Sequence, residues 1–128
     1  VKTDFLALTN KNNKKFYIGS NGKLIPFQNI KDFDKKLPFV FSKGNHKEFI
    51  KLKKIIDKSK FEFKEIESFY YFPSDRWDLK TKNGLLIKLP EKDNLKALDT
   101  AYLIKKDKKF KNKNIIDLRI SDKIITYN

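Results

Sequence analysis

The segment from Arg76 to Leu89 constrains this chain more than any other. Trp77, Leu79 and Thr81 alternate with Arg76, Asp78 and Lys80, then Lys82-Asn83-Gly84 intervenes and Leu85-Leu86-Ile87-Lys88-Leu89 returns. Alternation with period two gives a strand one apolar face, and Asn-Gly supplies the positive φ that a tight turn needs. Turn chemistry and alternation therefore agree on a β-hairpin. A two-stranded hairpin is at best marginal in water, so its apolar face needs more strands and a covering layer.

Two segments have the helical period to provide that cover. Asn45 with Glu48 three residues on is an Asn-x-x-Glu capping box, and Phe49, Leu52, Ile55 and Ile56 recur at helical spacing after it. This predicts a helix over Asn45–Lys58 with Lys47, Lys51, Lys54 and Lys58 facing water. Asp93 or Asn94 caps a second helix, Asp93–Lys106, whose predicted buried stripe is Leu95, Leu98, Ala101 and Tyr102. It ends in a lysine run from Lys105 to Lys111, where positive charge suits the macrodipole. Pro90 stops the strand before it.

The remaining segments read as strands. Phe5 to Ile18 forms a hairpin around a polar turn, and Gly19-Ser20-Asn21-Gly22 forms a second turn, expected as type I′. Lys23-Leu24-Ile25-Pro26 is a short strand ended by proline, 29–36 a charged connector, and Leu37 to Phe41 a buried extended piece before Gly44. Alternation resumes at Phe61 and runs into the aromatic Phe69-Tyr70-Tyr71-Phe72, with Pro73-Ser74-Asp75 turning the chain. Ile115 to Ile120 is a strand with Ile116, Leu118 and Ile120 inward, and Ile124 to Tyr127 is the last. Without repeats or a Gly/Ser linker, the chain is a single α+β domain: a mostly antiparallel β-sheet with two main helices packed on one face. Its expected core is Trp77, Leu79, Phe49, Leu52, Leu95, Leu98, Ile116 and Leu118.

Composition excludes several classes. Of 128 residues, Leu, Ile, Val and Phe make up about a third, well above the ~20% below which high charge implies disorder. No apolar run approaches the ~18 residues of a membrane span. With no cysteine there is neither a disulfide framework nor a thiolate metal site. His46 is the single histidine and reads as a helix-start residue rather than a base or ligand. No nucleophile elbow or phosphate loop occurs, and Asp75 and Asp78 read as solvated or turn-forming carboxylates rather than an acid–base pair. No catalytic residue, cofactor site or metal site is expected. Trp77 reads as core, not as a stacking platform. The net charge of +14 comes from 28 lysines and only two arginines, Arg76 and Arg119. Nucleic-acid readers rely on the guanidinium fork, so this charge fits solvated lysine faces better. A basic nucleic-acid-binding module, stacking bases on Phe69 to Phe72, is the alternative.

Four strings occur in an order that carries a resemblance. They are Asn21-Gly22-Lys23-Leu24-Ile25; Leu37-Pro38-Phe39-Val40 leading to Gly44; Arg76-Trp77-Asp78-Leu79 with Asn83-Gly84 and Ile87-Lys88-Leu89-Pro90; and Ile116-Asp117-Leu118-Arg119. With helices between them, they resemble the periplasmic β domain of the FtsQ/DivIB cell-division family over essentially the whole chain. The resemblance implies a non-enzymatic domain preceded in the full protein by a transmembrane helix and a POTRA domain, neither present in this sequence. It implies an inner-membrane protein at the septum that recruits FtsB and FtsL into the divisome and helps regulate septal peptidoglycan synthesis.

The expected binding site is the C-terminal edge: Arg119, Ile120, Ser121, Asp122, Ile124, Thr126 and Tyr127. A last strand at a sheet edge leaves unpaired N–H and C=O groups that accept a partner strand. By resemblance, Arg119 matches the family arginine that pairs with an acidic residue of FtsB, and Ile120 stands where the family often carries an aromatic. The plain alternative for Arg119 is an intramolecular ion pair with Asp117 or Asp122.

Overall fold

The computed structural model describes residues 5–26, 37–42, 46–120 and 123–128. Tight hairpins build most of its sheet. Strands β1 (Phe5–Lys11) and β2 (Lys14–Gly19) join through Asn12 and Asn13, both at positive φ, as a two-residue type I′ turn requires. The turn from β2 to β3 (Leu24–Pro26) is not type I′ as expected. Only Gly22 has positive φ there, and Gly22 N donates to Gly19 O at 2.9 Å, a type I turn followed by a left-handed glycine.

The hairpin of β6 (Arg76–Thr81) and β7 (Leu86–Lys88) closes the same way, with Gly84 at φ 91° and its N–H on Thr81 O. Between β5 (Ile66–Phe72) and β6, Asp75 takes that left-handed position at φ 61°. Alternation does not start at Phe61. Phe63–Glu65 is a 3-10 turn, which lets Phe61 and Phe63 both turn toward the core before β5 begins.

Helices α1 (His46–Lys58) and α2 (Asn94–Lys106) are the crossovers of two β-α-β units. The first links β4 (Phe39–Phe41) to its parallel neighbour β5, and the second links β7 to its parallel neighbour β8 (Ile115–Asp117). Both crossovers advance in the same direction across strands of the same sense, so right-handed connection puts both helices on one face. They touch each other and bury into one cluster. The sheet order is β3-β2-β1-β4-β5-β6-β7-β8-β9, with β9 (Ile125–Tyr127) antiparallel to β8. Five of these eight pairings are antiparallel. The α+β class, the antiparallel-rich sheet and its two helices are as expected from the sequence.

Phe49 meets Phe69 edge-on at 5.0 Å and Trp77 at 6.4 Å, so α1 is pinned over β5 and β6. Leu52, Leu79, Leu98, Ile116 and Leu118 are buried with them. Leu95 is not core: it is 42% exposed, and the buried stripe of α2 is Ala97, Leu98, Ala101 and Ile104. The small alanines bring α2 down on the sheet, and that phase turns Leu95 outward and leaves Tyr102 at the core's margin. Asp93 precedes α2 at φ 61° and makes no side-chain cap. The predicted connector over 29–36, Gly44 and the capping Asn45 lie outside the described residues.

Candidate partner-binding edge

Strand β9 is the last of the sheet, and nothing among the described residues pairs with its outer side. The bonds Leu86 N to Asn114 O and Leu118 N to Lys88 O, both 2.9 Å, turn the even-numbered residues of β8 toward β7, while Asn114, just before the strand, donates its own N–H across to Tyr127 O at 2.7 Å. The odd residues of β8 therefore serve β9, in the register Asp117↔Ile125 and Ile115↔Tyr127. Alternation then directs the N–H and C=O of Thr126 toward solvent.

β8 ends because Asp117 captures the chain. Its Oδ1 accepts from Arg119 N at 3.0 Å, an i to i+2 bond that bends the backbone out of the ladder. The Arg119 fork closes on the same carboxylate, Nε to Oδ1 at 2.9 Å and Nη2 to Oδ2 at 2.6 Å. These hydrogen bonds hold the buried Asp117 carboxyl below its ordinary value, with Lys88 adding a smaller pull in the same direction, and raise Arg119. The intramolecular pair is thus present. Two of the five guanidinium N–H groups serve Asp117, and the half-exposed head keeps the others for a second acceptor.

The bend also overturns one expectation. Ile120 does not point inward with Ile116 and Leu118; it is 53% exposed, beside Ile124 at 51% and Tyr127 at 49%. Three large apolar side chains thus flank the open edge. Ser121 and Asp122 lie outside the described residues.

A groove of about 820 Å³ runs from this segment to the first turn of α2, lined by Arg76, Lys92, Lys96, Arg119, Ile120 and Ile124 among others. Both arginines of the chain line it, although they stand 43 positions apart in sequence. Arg76 was missed as a site residue because its position beside Arg119 depends on β7 lying between β6 and β8. Its Nη1 donates to Asp78 Oδ1 at 2.7 Å and Leu89 O at 3.1 Å, and its guanidinium carbon lies 4.8 Å from the Phe72 ring centre. The sequence reading of Asp78 as a solvated or turn-forming carboxylate is therefore corrected: it is buried and paired. Asp78, Lys88 and Asp117 stand side by side across three strands, alternating in sign. The groove's described lining carries five cationic side chains against two carboxylates, Glu91 and Asp93, together with the apolar Ile120 and Ile124.

The aromatic run of β5 is engaged within the fold. Phe69 packs on Phe49, Phe63 and Trp77; Tyr70 stacks on Phe41; Tyr71 meets Trp77; and Phe72 carries Arg76. No group of three or more His, Cys, Asp or Glu among the described residues is placed to hold a metal, and no described helix is long and apolar enough to cross a membrane.

No curated protein sequence matches the chain. In fold it is similar to the major extracytoplasmic domain of the trans isomer of the cell-division protein DivIB from Geobacillus stearothermophilus. That match has a TM-score of 0.57 at 14% identity and covers 82% of this chain and 92% of that one. Residues 7–119 match the family described as cell division protein FtsQ/DivIB, C-terminal. The chain belongs to the FtsQ/DivIB family of non-enzymatic cell-division proteins, of which it is a C-terminal domain.

Proposed function

We propose that this domain lies outside the cytoplasmic membrane and recruits the FtsB–FtsL pair to the divisome by accepting an extended FtsB segment on the open side of β9. The observation that carries this reading is the juxtaposition of that open edge with a groove holding both arginines of the chain. Main-chain bonds at Thr126 set the register, Ile120, Ile124 and Tyr127 cover the partner's apolar side chains, and Arg119 meets a carboxylate. Ser121 and Asp122 belong to the same segment. In the whole protein a transmembrane helix and a POTRA domain precede this domain, anchor it in the inner membrane at the septum, and let recruitment regulate septal peptidoglycan synthesis.

The test is titration of an FtsB segment onto the isolated chain. Arg119→Ala and Arg119→Glu weaken binding, the reversal at a cost of ~2 kcal/mol or more if the contact is desolvated. Thr126→Pro removes an outward N–H without touching the β8 ladder and also weakens it. Folding of each variant is checked by amide NMR. Unchanged affinity in folded Arg119→Glu and Thr126→Pro would move the interface elsewhere.

A further inference from the structure

The lysine run after α2 has no part in the partner-binding edge. Between positions 105 and 113 stand six lysines and one acid, Asp107; 28 lysines in 128 residues would place about two in such a window. Lys105 and Lys106 sit in the last turn of α2, where they answer the macrodipole. Lys105 is also bonded to Glu65, and Lys106 lies 4.4 Å from the Tyr102 ring centre. The other four lie beyond the helix and have no such role.

Lys108, Lys109, Lys111 and Lys113 have no ion-pair partner among the described residues. Their backbone is fixed all the same. Asp107 spends its carboxylate on Lys109 N at 2.9 Å, capping the 3-10 turn Lys108–Phe110, and Phe110 packs against the core. Lys111 N to Lys108 O and Lys113 N to Phe110 O continue the scaffold. A recess of about 450 Å³ opens between Lys108, Lys111, Lys113, Asn83 and Asn114, with Asp107 also on its wall and Lys109 just outside it.

We propose that this corner docks the domain on an anionic lipid surface, with a headgroup phosphate in the recess. Lysine ammonium groups are strongly hydrated point charges that suit a diffuse layer of phosphates, whereas nucleic-acid readout calls for guanidinium forks or exposed rings, and the corner has neither. It lies at the far end of α2 from the arginine groove, roughly 20 Å away for a 13-residue helix. It adjoins only the tail of β9, where Asn114 N donates to Tyr127 O at 2.7 Å, and its test reads lipid rather than the partner segment, so the two proposals fail separately.

The experiment is co-sedimentation of the 128-residue chain with vesicles of phosphatidylglycerol and phosphatidylcholine, or of phosphatidylcholine alone, at near-physiological ionic strength. The chain sediments with the anionic vesicles only. Lys108→Gln, Lys109→Gln and Lys111→Gln each weaken binding about five-fold, and together roughly 100-fold. A charge-matched control on α1, combining Lys47→Gln, Lys54→Gln and Lys58→Gln, leaves binding within about three-fold of the parent. Equal loss in both triple variants means that net charge alone is read, and overturns the proposal. Absence of binding to the anionic vesicles overturns it too, including the case where soluble polyglycerol phosphate binds and vesicles do not.

Discussion

Tyr71 and Asp75 show how one side chain takes two roles. Asp75 holds a left-handed turn position where the neighbouring hairpins use glycine, and its carboxylate accepts a hydrogen bond from the Tyr71 hydroxyl. That hydrogen bond, with burial and the nearby negative charge, pushes Tyr71 up to about 12 from the ordinary 10. A raised folded-state value means that the contribution is full below pH 10 and is lost as the pH rises through 12. Tyr17 is raised as well, by burial, so the check is a ring-resolved NMR titration: Tyr71 itself is expected to ionise near pH 12, and Asp75→Gly to return it toward 10 while Tyr17 stays raised. If Tyr71 stays near 12 in Asp75→Gly, the assignment to this pair is wrong. Asp117 has the opposite sign: its lowered value contributes stability above the ordinary carboxylate range and loses it as the pH falls through the folded value. That Asn-Gly marks a tight turn with glycine at positive φ is legible in the sequence, but the turn type at Asn21-Gly22 is not, nor is Asp75 in the equivalent left-handed position, because Asp is common in turns of every kind.

At the scale of elements, α2 offers a clean contrast. Leu98 is fully buried between the helix and the sheet, whereas Leu95 lies one turn earlier on the outer face. Leu98→Ala is expected to cost about 2–5 kcal/mol and Leu95→Ala about 0.5 kcal/mol or less, read from urea midpoints with an unchanged slope. Similar losses at both positions would show that the helix sits in a different phase. The sequence misdirects here because leucine outranks alanine as a core signal, yet it is Ala97 and Ala101 that permit close approach. Hairpins were legible because their partners are adjacent in the chain. The insertion of β4 between β1 and β5 was not, because its pairing rests on a three-residue strand and distant neighbours. The inward reading of Ile120 failed for a local reason: alternation stops where the Asp117 side chain takes the backbone N–H of Arg119.

For the molecule as a whole, +14 charges on 128 residues repel one another. Few of the lysines are offset by ion pairs among the described residues. Raising NaCl from about 10 mM to about 200 mM shortens the Debye length from roughly 30 Å to below 10 Å and is expected to raise Tm by several degrees. A falling Tm would mean that attractive pairs outweigh the repulsion. The brevity of β9 has a consequence of another kind. Three residues expose one outward-facing N–H and C=O pair, and a main-chain hydrogen bond contributes only about 1 kcal/mol net. Such an edge is too weak a template to polymerise copies of itself, which is how short edge strands keep sheets from aggregating. It is equally too weak to retain a ligand that matches it by backbone alone. In the proposed binding mode the strand therefore serves as a ruler rather than as glue: register would be set at β9, and residence time by the side chains around it. Occupancy in that mode would demand two coincident matches, in spacing and in charge, and an extended peptide that satisfies only one would be released.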